Sequence, residues 1–408
     1  MRVLENISEL FGIQGMEIER IVEEDDSSVT LHLGRSEDAQ WSCPACHSLN
    51  VICYDHAPER QIRDLSIWDR ICRLAFRPAR VKCRACGAVS TERLSWMEAN
   101  QHQTLRFERR LVLLCEKMTA KEASEFEMID RDATYRIERR WLERVESGWT
   151  PEVVSKLGID EIAIRKGHNY ATVFYDLAKK EVVGMVEGRK AADCSKFLKG
   201  WDKERRGKVE AVCMDMWEGY HKSVSKLCPN ASIVFDKFHV SKYFHNALDK
   251  VRQHEQALAS NEDGKMLKGT RWLWHKPELS PKQRRTLRGI MAVNKPLFKA
   301  YLMVEDFEML YKCESIEAAA LYLKDVVRRF RCSHLEPFKK LGKSLRTWRD
   351  GILNYFKHPV SNAAAEGLNN KIKVIKRRSY GFRDFEYFRL KVLQCAGSLP
   401  SVANAYPL

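Results

Sequence analysis

The stretch "KLGIDEIAIRKGHNYATVFYDLAKKEVVGMVEG", residues 156–188, contains three β-rich runs separated by short polar turns. Such runs predict strands, and short turns between them predict an antiparallel meander. Residues 208–216 follow as a near-continuous apolar run, which is typical of a buried strand. A helix at 217–227, a strand at 232–236 and a long helix from about 239 complete the pattern. We therefore predict a mixed α/β sheet in which an antiparallel meander is followed by βαβ crossovers.

The overall composition favours a polyanionic partner. The chain has 408 residues, with 70 Lys and Arg against 55 Asp and Glu, and a formal net charge of +15. An excess of this size is typical of proteins that bind nucleic acid, although many basic proteins do not. No apolar run approaches the roughly 18 to 20 residues that span a bilayer, and the N-terminus lacks the pattern of a secretory signal. The 13 cysteines are mostly isolated, which indicates a reducing compartment, so we expect a cytoplasmic protein.

The N-terminal part, residues 1–98, contains two pairs of cysteines. An alternating pattern at 16–34 predicts a β-hairpin, and the motifs "CPAC" and "CRAC" follow it. Two C-x-x-C pairs supply four thiolate ligands, as in tetrahedral zinc sites. Since protein ligands would fill all four positions, the predicted Zn²⁺ is structural. The four predicted ligands are Cys43, Cys46, Cys83 and Cys86.

Residues 99–150 have the pattern of three helices. The second opens with the capping-box sequence "TAKE" at 119–122, and the third is predicted at about 132–146. Ile137, Trp141 and Val145 are the predicted buried face of this third helix. The second and third helices predict a helix-turn-helix that reads DNA, because a short helix and a tight turn precede a helix with outward arginines. Generic helical bundles give the same pattern. The predicted DNA-contacting residues are Arg136, Arg139 and Arg140.

Two aspartates interrupt the apolar strands of the predicted sheet. Asp160 lies within the first strand and Asp215 ends the fourth. A carboxylate in such a strand is costly unless it is paired or bound to metal. The pattern makes an RNase H-like sheet plausible. In such a sheet the first strand is central and the fourth runs parallel beside it, so the two aspartates are expected to face each other. Glu161, Asp176 and Asp193 are also acidic, but their settings suit solvated turns or caps.

A third carboxylate, Glu366, lies in "SNAAAEGLNNKIKVIKRRSYGF", residues 361–382. Three carboxylates suffice to hold two divalent cations, because Mg²⁺ keeps several waters and takes oxygen ligands from substrate. The small residues Ala363, Ala364 and Ala365 are expected to let this helix approach the sheet. Basic and amide side chains follow on the helix and are predicted to contact the DNA backbone: Asn370, Lys373, Lys376, Arg377 and Arg378.

These motifs together resemble the bacterial DDE transposases of the ISL-three insertion-sequence family. The resemblance rests on the cysteine pairs, "GIDEIAIRKGHNYATVFYDL", "VCMDMWEGY", "FDKFHVSKYFHNALDKVR" and the block that begins "SNAAAEGLNN". It implies catalytic and metal-binding roles for Asp160, Asp215 and Glu366, with two Mg²⁺ or Mn²⁺ ions. The D-x-x-H pair Asp236 and His239 is expected to order the active site or contact the cleaved strand, with helix capping by Asp236 as the alternative.

The resemblance also sets the expected domains and function. We expect an RNase H-like domain in two parts, 151–258 and 358–408, separated by an all-helical insertion at 259–357. The expected activity is cleavage of insertion-sequence ends and their joining to target DNA, with binding to terminal inverted repeats in double-stranded DNA. Because two ends must be paired, a homodimer or larger assembly is expected on the nucleoid. The alternatives are a non-catalytic DNA-binding regulator derived from such an enzyme and a structure-specific nuclease.

Overall fold

A computed structural model describes residues 12–165, 167, 169–259, 267–274 and 278–405, apart from the side chain of Trp272. The chain forms a mixed α/β protein of two compact units. The first comprises residues up to Trp149 together with those from Pro400 onwards, and the second comprises Thr150–Leu399. None of the described helices is both long enough and apolar enough to cross a membrane.

The first unit begins with the predicted hairpin. Strand β1 (Met16–Asp25) pairs antiparallel with β2 (Ser28–Arg35), and the Asp25 carboxylate accepts the backbone N–H of Ser27 in the turn. A four-stranded sheet forms in the order β1-β2-β5-β4, and a three-stranded sheet in the order β3-β6-β7. Leu31 on β2 and Leu74 on β5 are fully buried in the hydrophobic core that packs against the larger sheet. The remaining strands are β3 (Val51–His56), β4 (Arg60–Arg63), β5 (Ile71–Phe76), β6 (Ala79–Cys83) and β7 (Val89–Thr91).

Three helices follow in this unit: α1 (Leu105–Lys117), α2 (Ala120–Phe126) and α3 (Arg131–Gly148). The predicted capping box at the start of α2 is present, since Thr119 and Glu122 exchange hydrogen bonds between side chain and backbone. The predicted buried face of α3 is confirmed, because Ile137, Trp141 and Val145 are at most 4% exposed.

The last described residues of the chain also belong to the first unit. A short helix, α15 (Val402–Ala405), packs on α1 and α3. The Ser401 hydroxyl and the Val402 N–H both donate to the Glu116 carboxylate. The boundary predicted at 358–408 therefore differs from the packing, which ends the second unit at Leu399.

The second unit contains a five-stranded sheet in the order β10-β9-β8-β11-β12. The predicted meander is observed, because β9 pairs antiparallel with both β8 and β10. Strand β11 runs parallel to β8 on one side and to β12 on the other. The first strand is thus central with the fourth parallel beside it, as predicted. The strands are β8 (Lys156–Arg165), β9 (Asn169–Asp176), β10 (Glu181–Glu187), β11 (Ala211–Met214) and β12 (Ser232–Phe235).

Helices make up the rest of this unit, and every described element between residues 259 and 357 is helical. One large core joins the sheet to these helices, with Phe235, Phe244 and Phe330 fully buried in it. Ser280 caps one of these helices, since its side chain accepts the Gln283 N–H and Pro281 lies in the first turn. The helices up to residue 357 are α4 (Ala191–Lys199), α5 (Lys203–Gly207), α6 (Glu218–Leu227), α7 (Lys237–Leu258), α8 (Pro281–Val293), α9 (Lys295–Leu310), α10 (Ile316–Arg331), α11 (Glu336–Thr347), α12 (Arg349–Leu353) and the 3-10 turns Arg271–Trp274 and Asn354–Phe356.

The C-terminal helical stretch of this unit divides in two. Helix α13 (Ala363–Arg378) and helix α14 (Phe385–Ala396) are separated by a turn in which Tyr380 and Gly381 both have positive φ, 51° and 98°. A left-handed pair of residues cannot continue a right-handed helix, which explains the break.

Candidate active site and metal centre

The four predicted cysteine ligands come together in the first unit. The Sγ atoms of Cys43 and Cys86 lie 3.7 Å apart, those of Cys46 and Cys83 lie 3.6 Å apart, and all four lie within 4.8 Å of one another. Sulfurs at about 2.3 Å from a tetrahedral zinc are roughly 3.8 Å apart, so the spacing fits this ion.

Each cysteine pair lies on a tight turn that aims backbone amides at sulfur. The N–H of His47 donates to the Cys43 carbonyl, and that of Gly87 donates to the Cys83 carbonyl. Both donors have positive φ, 58° and 74°, which closes the two turns in the same way. Backbone amides of Cys86 and Ala85 lower the pKa of Cys83 to about 6. This favours the thiolate, the form that binds metal.

Asp160 lies on the central strand β8 with both carboxylate oxygens hydrogen-bonded. Its Oδ1 accepts the backbone N–H of Glu161 at 2.7 Å, and its Oδ2 accepts the side-chain amide of Asn369 at 2.8 Å. Burial is the main cause that raises the pKa of Asp160, and the nearby charge of Asp215 raises it further. The two predicted aspartates therefore lie close enough to interact.

The strand register explains why these two aspartates are neighbours. In the parallel pairing of β11 with β8, Cys213 lies opposite Gly158. Asp215 follows β11 directly, so continuing the register by two residues places it level with Asp160. Gly158 also allows a close approach from above the sheet, since a Cβ there would lie 3.1 Å from Oδ1 of Asn362.

His239 joins Asp215 to Asp236. In the first turn of α7, its Nδ1 forms an ion pair with Asp215 and lies 3.5 Å from the Asp236 carboxylate. Burial lowers the pKa of His239, but the two carboxylates outweigh this and the net pKa is raised. Asp236 is 3% exposed, and burial raises its pKa although it accepts the backbone N–H of Asn362 at 3.0 Å. The predicted D-x-x-H pair thus contacts one of the predicted catalytic aspartates.

Glu366 is exposed in the first turn of α13. Residues before and after Glu366 contact β8, the strand that carries Asp160. Asn362 donates its side-chain amide to the Ile159 carbonyl, and Asn369 donates its side-chain amide to the Asp160 carboxylate. Of the three alanines expected to allow this approach, Ala365 is fully buried whereas Ala363 is exposed.

The structure brings the predicted carboxylates to one region but not into a compact cluster. Over the described ranges, the cysteine group is the one set of three or more His, Cys, Asp or Glu ligand atoms that lie within 4.8 Å of one another. Asp160 and Asp215 interact with each other, and Glu366 lies in the sequence between two asparagines that contact Ile159 and Asp160 in the middle of β8.

Two acidic residues in this region are less exposed than predicted. Glu161 is half-buried rather than solvated, and its carboxylate accepts the hydroxyl of Tyr220 at 3.1 Å and lies 3.7 Å from Arg189. Burial raises the pKa of Glu161. Asp193 caps the start of α4 by accepting the Lys190 N–H, as predicted. Asp176, at the C-terminal end of β9, caps a turn by accepting the Ala178 N–H, but it is 4% exposed rather than solvated.

The predicted DNA-contacting residues of α13 are mostly exposed. Asn370, Lys373, Arg377 and Arg378 are exposed, and Lys373 lies 3.4 Å from the Asn370 side chain. Lys376 differs, since its ammonium donates to the Ala163 carbonyl on β8. This lysine therefore fastens α13 to the sheet.

The three arginines of α3 have different environments. Arg136 is exposed, and Arg139 pairs with Glu143 one turn along the helix at 2.8 Å. Arg140 was predicted to point outward, and this prediction is wrong. Its guanidinium donates to the fully buried Glu108 carboxylate at 2.5 Å. Trp141 Nε1 donates to the same carboxylate at 2.8 Å. A buried carboxylate needs such donors, which explains the orientation.

Sequence reasoning missed the asparagines Asn362 and Asn369, and it missed Tyr175, the partner of Asn369. The available signal was their spacing, because they stand four residues before Glu366 and three after it, which puts all three on one helical face. The buried tyrosine on β9 offered no signal, since its O–H meets Asn369 only through the folded sheet.

Comparison with known proteins identifies the family of the chain. A family profile described as "Transposase", of the ISL-three group of DDE enzymes, matches residues 157–392. The transposase for insertion sequence element IS1001 of Bordetella parapertussis is 28% identical over 392 residues, covering 94% of this chain and 96% of that protein. The transposase for insertion sequence element IS1557 of Mycobacterium tuberculosis is 26% identical over 277 residues, covering 62% of each. The chain belongs to the ISL-three family of DDE transposases.

Proposed function

We propose that this transposase cleaves the ends of an insertion sequence and joins them to target DNA, with Asp160, Asp215 and Glu366 as its catalytic carboxylates. One observation carries the proposal. Asp160 lies within β8, Asp215 and Asp236 directly follow the adjacent strands β11 and β12, and within the described part of the chain no lysine or arginine forms an ion pair with any of these three carboxylates. Among the described residues, His239 is the one that forms ion pairs with Asp215 and Asp236.

This donor set fits hard divalent cations. Buried carboxylates are costly without a compensating charge or hydrogen bonds, and Mg²⁺ and Mn²⁺ prefer oxygen ligands. When bound, two such ions activate the attacking oxygen and stabilise the leaving oxygen. Asp160 and Asp215 would hold them from adjacent strands, with Glu366 completing the set from α13. Asp236 and His239 would order Asp215.

The chemistry we propose has two in-line displacements and no covalent protein intermediate. A water attacks the phosphodiester at the element end and frees a 3′-hydroxyl, which then attacks the target strand. The exposed side chains of α13, Asn370, Lys373, Arg377 and Arg378, would contact the DNA backbone beside this site. Their positive charge would make binding depend on salt.

We assign recognition of the terminal inverted repeats to the N-terminal part of the chain. The cysteine spacing supports a structural Zn²⁺, and the arrangement of α1 to α3 supports a helix-turn-helix with Arg136 and Arg139 toward DNA. The strand order of the second unit supports an RNase H-like core. Paired ends call for at least a homodimer, acting on the nucleoid in the cytoplasm.

The arginines of α3 provide a matched pair of variants. Arg136→Ala is expected to weaken binding to inverted-repeat DNA while leaving the thermal midpoint unchanged, because Arg136 is exposed. Arg140→Ala is expected to destabilise the first unit by about 2 kcal/mol, since it removes a charged donor from buried Glu108. Denaturant unfolding and DNA titrations at fixed salt measure both. Equal stability of the two variants would contradict the assigned role of Arg140.

A strand-transfer assay tests the proposed activity. Purified protein is incubated with labelled DNA carrying the inverted repeat that flanks its gene, with target plasmid and Mg²⁺ or Mn²⁺. We expect 3′-ends joined to target, and no reaction with EDTA. Cleavage without joining would favour a structure-specific nuclease, and binding without cleavage a non-catalytic regulator, and either would overturn the proposal.

A further inference from the structure

Two asparagines fasten helix α13 to the strand that carries Asp160. Asn362 and Asn369 are 5% and 7% exposed, and they share a helical face with Glu366. Their side-chain amides donate to consecutive residues of β8, at 3.2 Å to the Ile159 carbonyl and at 2.8 Å to Asp160 Oδ2. The turn of α13 that presents Glu366 is therefore held in register with Asp160.

Asn369 has a second partner that fixes its orientation. The hydroxyl of Tyr175, a fully buried residue of β9, lies 2.5 Å from Asn369 Oδ1. If the amide were turned over, its carbonyl oxygen would face the Asp160 carboxylate, and two acceptors cannot form a hydrogen bond. The Tyr175 hydroxyl then donates to the amide oxygen, and the amide nitrogen donates to Asp160.

These hydrogen bonds orient the Asp160 carboxylate but leave each of its oxygens able to accept a further contact. Each carboxylate oxygen can accept about two hydrogen bonds or ligand contacts, and each accepts one here, from Glu161 N–H and from Asn369. Both donors are uncharged, so they leave the negative charge of Asp160 available to bind a cation. Residues behind a metal ligand that act in this way commonly set its orientation and its affinity.

We propose that Asn369 is a positioning residue of the carboxylate site, oriented by Tyr175. Its amide holds the Asp160 carboxylate and at the same time sets the register of α13 that presents Glu366. The inference deepens the proposed function and rests on it, since it presumes that Asp160 binds a divalent cation.

Binding of Mn²⁺ to the full-length protein, followed by electron paramagnetic resonance without DNA, tests the inference apart from turnover. Asn369→Ala is expected to weaken Mn²⁺ binding by about tenfold or more. Tyr175→Phe is expected to weaken it less, because the amide remains but can turn. If Tyr175 acts through Asn369, Tyr175→Phe adds no further loss in the Asn369→Ala background.

Asn354→Ala is the matched control. Asn354 also donates its side-chain amide to a strand carbonyl, that of Ile233 at 2.9 Å, and it is expected to keep wild-type Mn²⁺ affinity. Mn²⁺ affinity within twofold of wild type in both Asn369→Ala and Tyr175→Phe would overturn the inference. So would additive losses in the double variant, which would mean that each residue acts alone.

Asp160→Asn separates this inference from the proposed function. If Asp160→Asn loses Mn²⁺ binding while Asn369→Ala and Tyr175→Phe retain it, only the positioning role fails. If Asp160→Asn keeps wild-type Mn²⁺ affinity, the proposed function itself fails. Thermal unfolding of each variant shows whether a loss of Mn²⁺ binding comes from misfolding. If Asn369→Ala misfolds, Tyr175→Phe, which removes a single oxygen atom, provides the deciding measurement of Mn²⁺ affinity.

Discussion

Asp215→Asn is expected to abolish metal-dependent cleavage of element ends while leaving DNA binding intact. The change keeps the shape of the side chain but removes one negative charge from the group that we propose holds the cations. Stabilisation of transition-state charge by such ions amounts to several kcal/mol, so we expect a loss of at least about a thousandfold in cleavage rate. Gel assays of cleavage and of binding, on the same labelled end, measure the two effects separately.

Two further variants make this result specific. Asp202→Asn is the same chemical change at an exposed helix cap, where the side chain accepts the Arg205 N–H, and full cleavage is expected. Glu366→Gln is expected to lose cleavage as Asp215→Asn does, with an unchanged thermal midpoint because Glu366 is exposed. Cleavage by Asp215→Asn within tenfold of wild type would refute the assignment of Asp215.

The second large effect is expected from the cysteine cluster. Cys43→Ser is expected to remove the bound zinc and the cooperative unfolding of the first unit, since Cys43 is fully buried beside the other three sulfurs. Binding of structural zinc contributes about 10 kcal/mol or more in small zinc domains, and this energy is folding energy. Elemental analysis gives the zinc content, and circular dichroism during heating gives the unfolding transition.

Cys53→Ser is the matched control for the cysteine prediction. Cys53 lies between the two pairs in sequence, but its thiol approaches the Asp55 carbonyl and it is not part of the cluster. One zinc per chain and a normal unfolding transition are expected for this variant. A wild-type protein that contains no zinc, or whose first unit unfolds normally after chelation, would be incompatible with a structural metal here.

Local patterns predicted much of the secondary structure and the strand order. Alternation and polar turns were enough for the meander β8 to β10, and the apolar run at 208–216 was enough for a buried strand. Its parallel pairing with β8 was predicted from the likeness to an RNase H-like sheet. The capping box at Thr119 depends on two residues three positions apart, so the local sequence contains the whole signal. The spacing of the cysteine pairs likewise predicted which four sulfurs meet.

The remaining features depend on contacts between distant residues. Arg140 turns inward because Glu108, 32 positions earlier, is buried and needs a donor, and neither fact is visible in the local helical pattern. Asn369 contacts Asp160, 209 positions away, through the closure of α13 on the sheet. The four-residue helix α15 has no periodic signal, and its place in the first unit follows from two hydrogen bonds to Glu116.

The central claim is that Asp160, Asp215 and Glu366 together bind the cations that act on DNA. Anomalous diffraction from crystals of the protein bound to an element end, grown with Mn²⁺, tests it most directly. We predict two manganese peaks about 3.5 to 4 Å apart, each within ligand distance of at least one of these carboxylates and of the cleaved phosphate. Manganese peaks that touch none of the three side chains on an intact, bound substrate would contradict it.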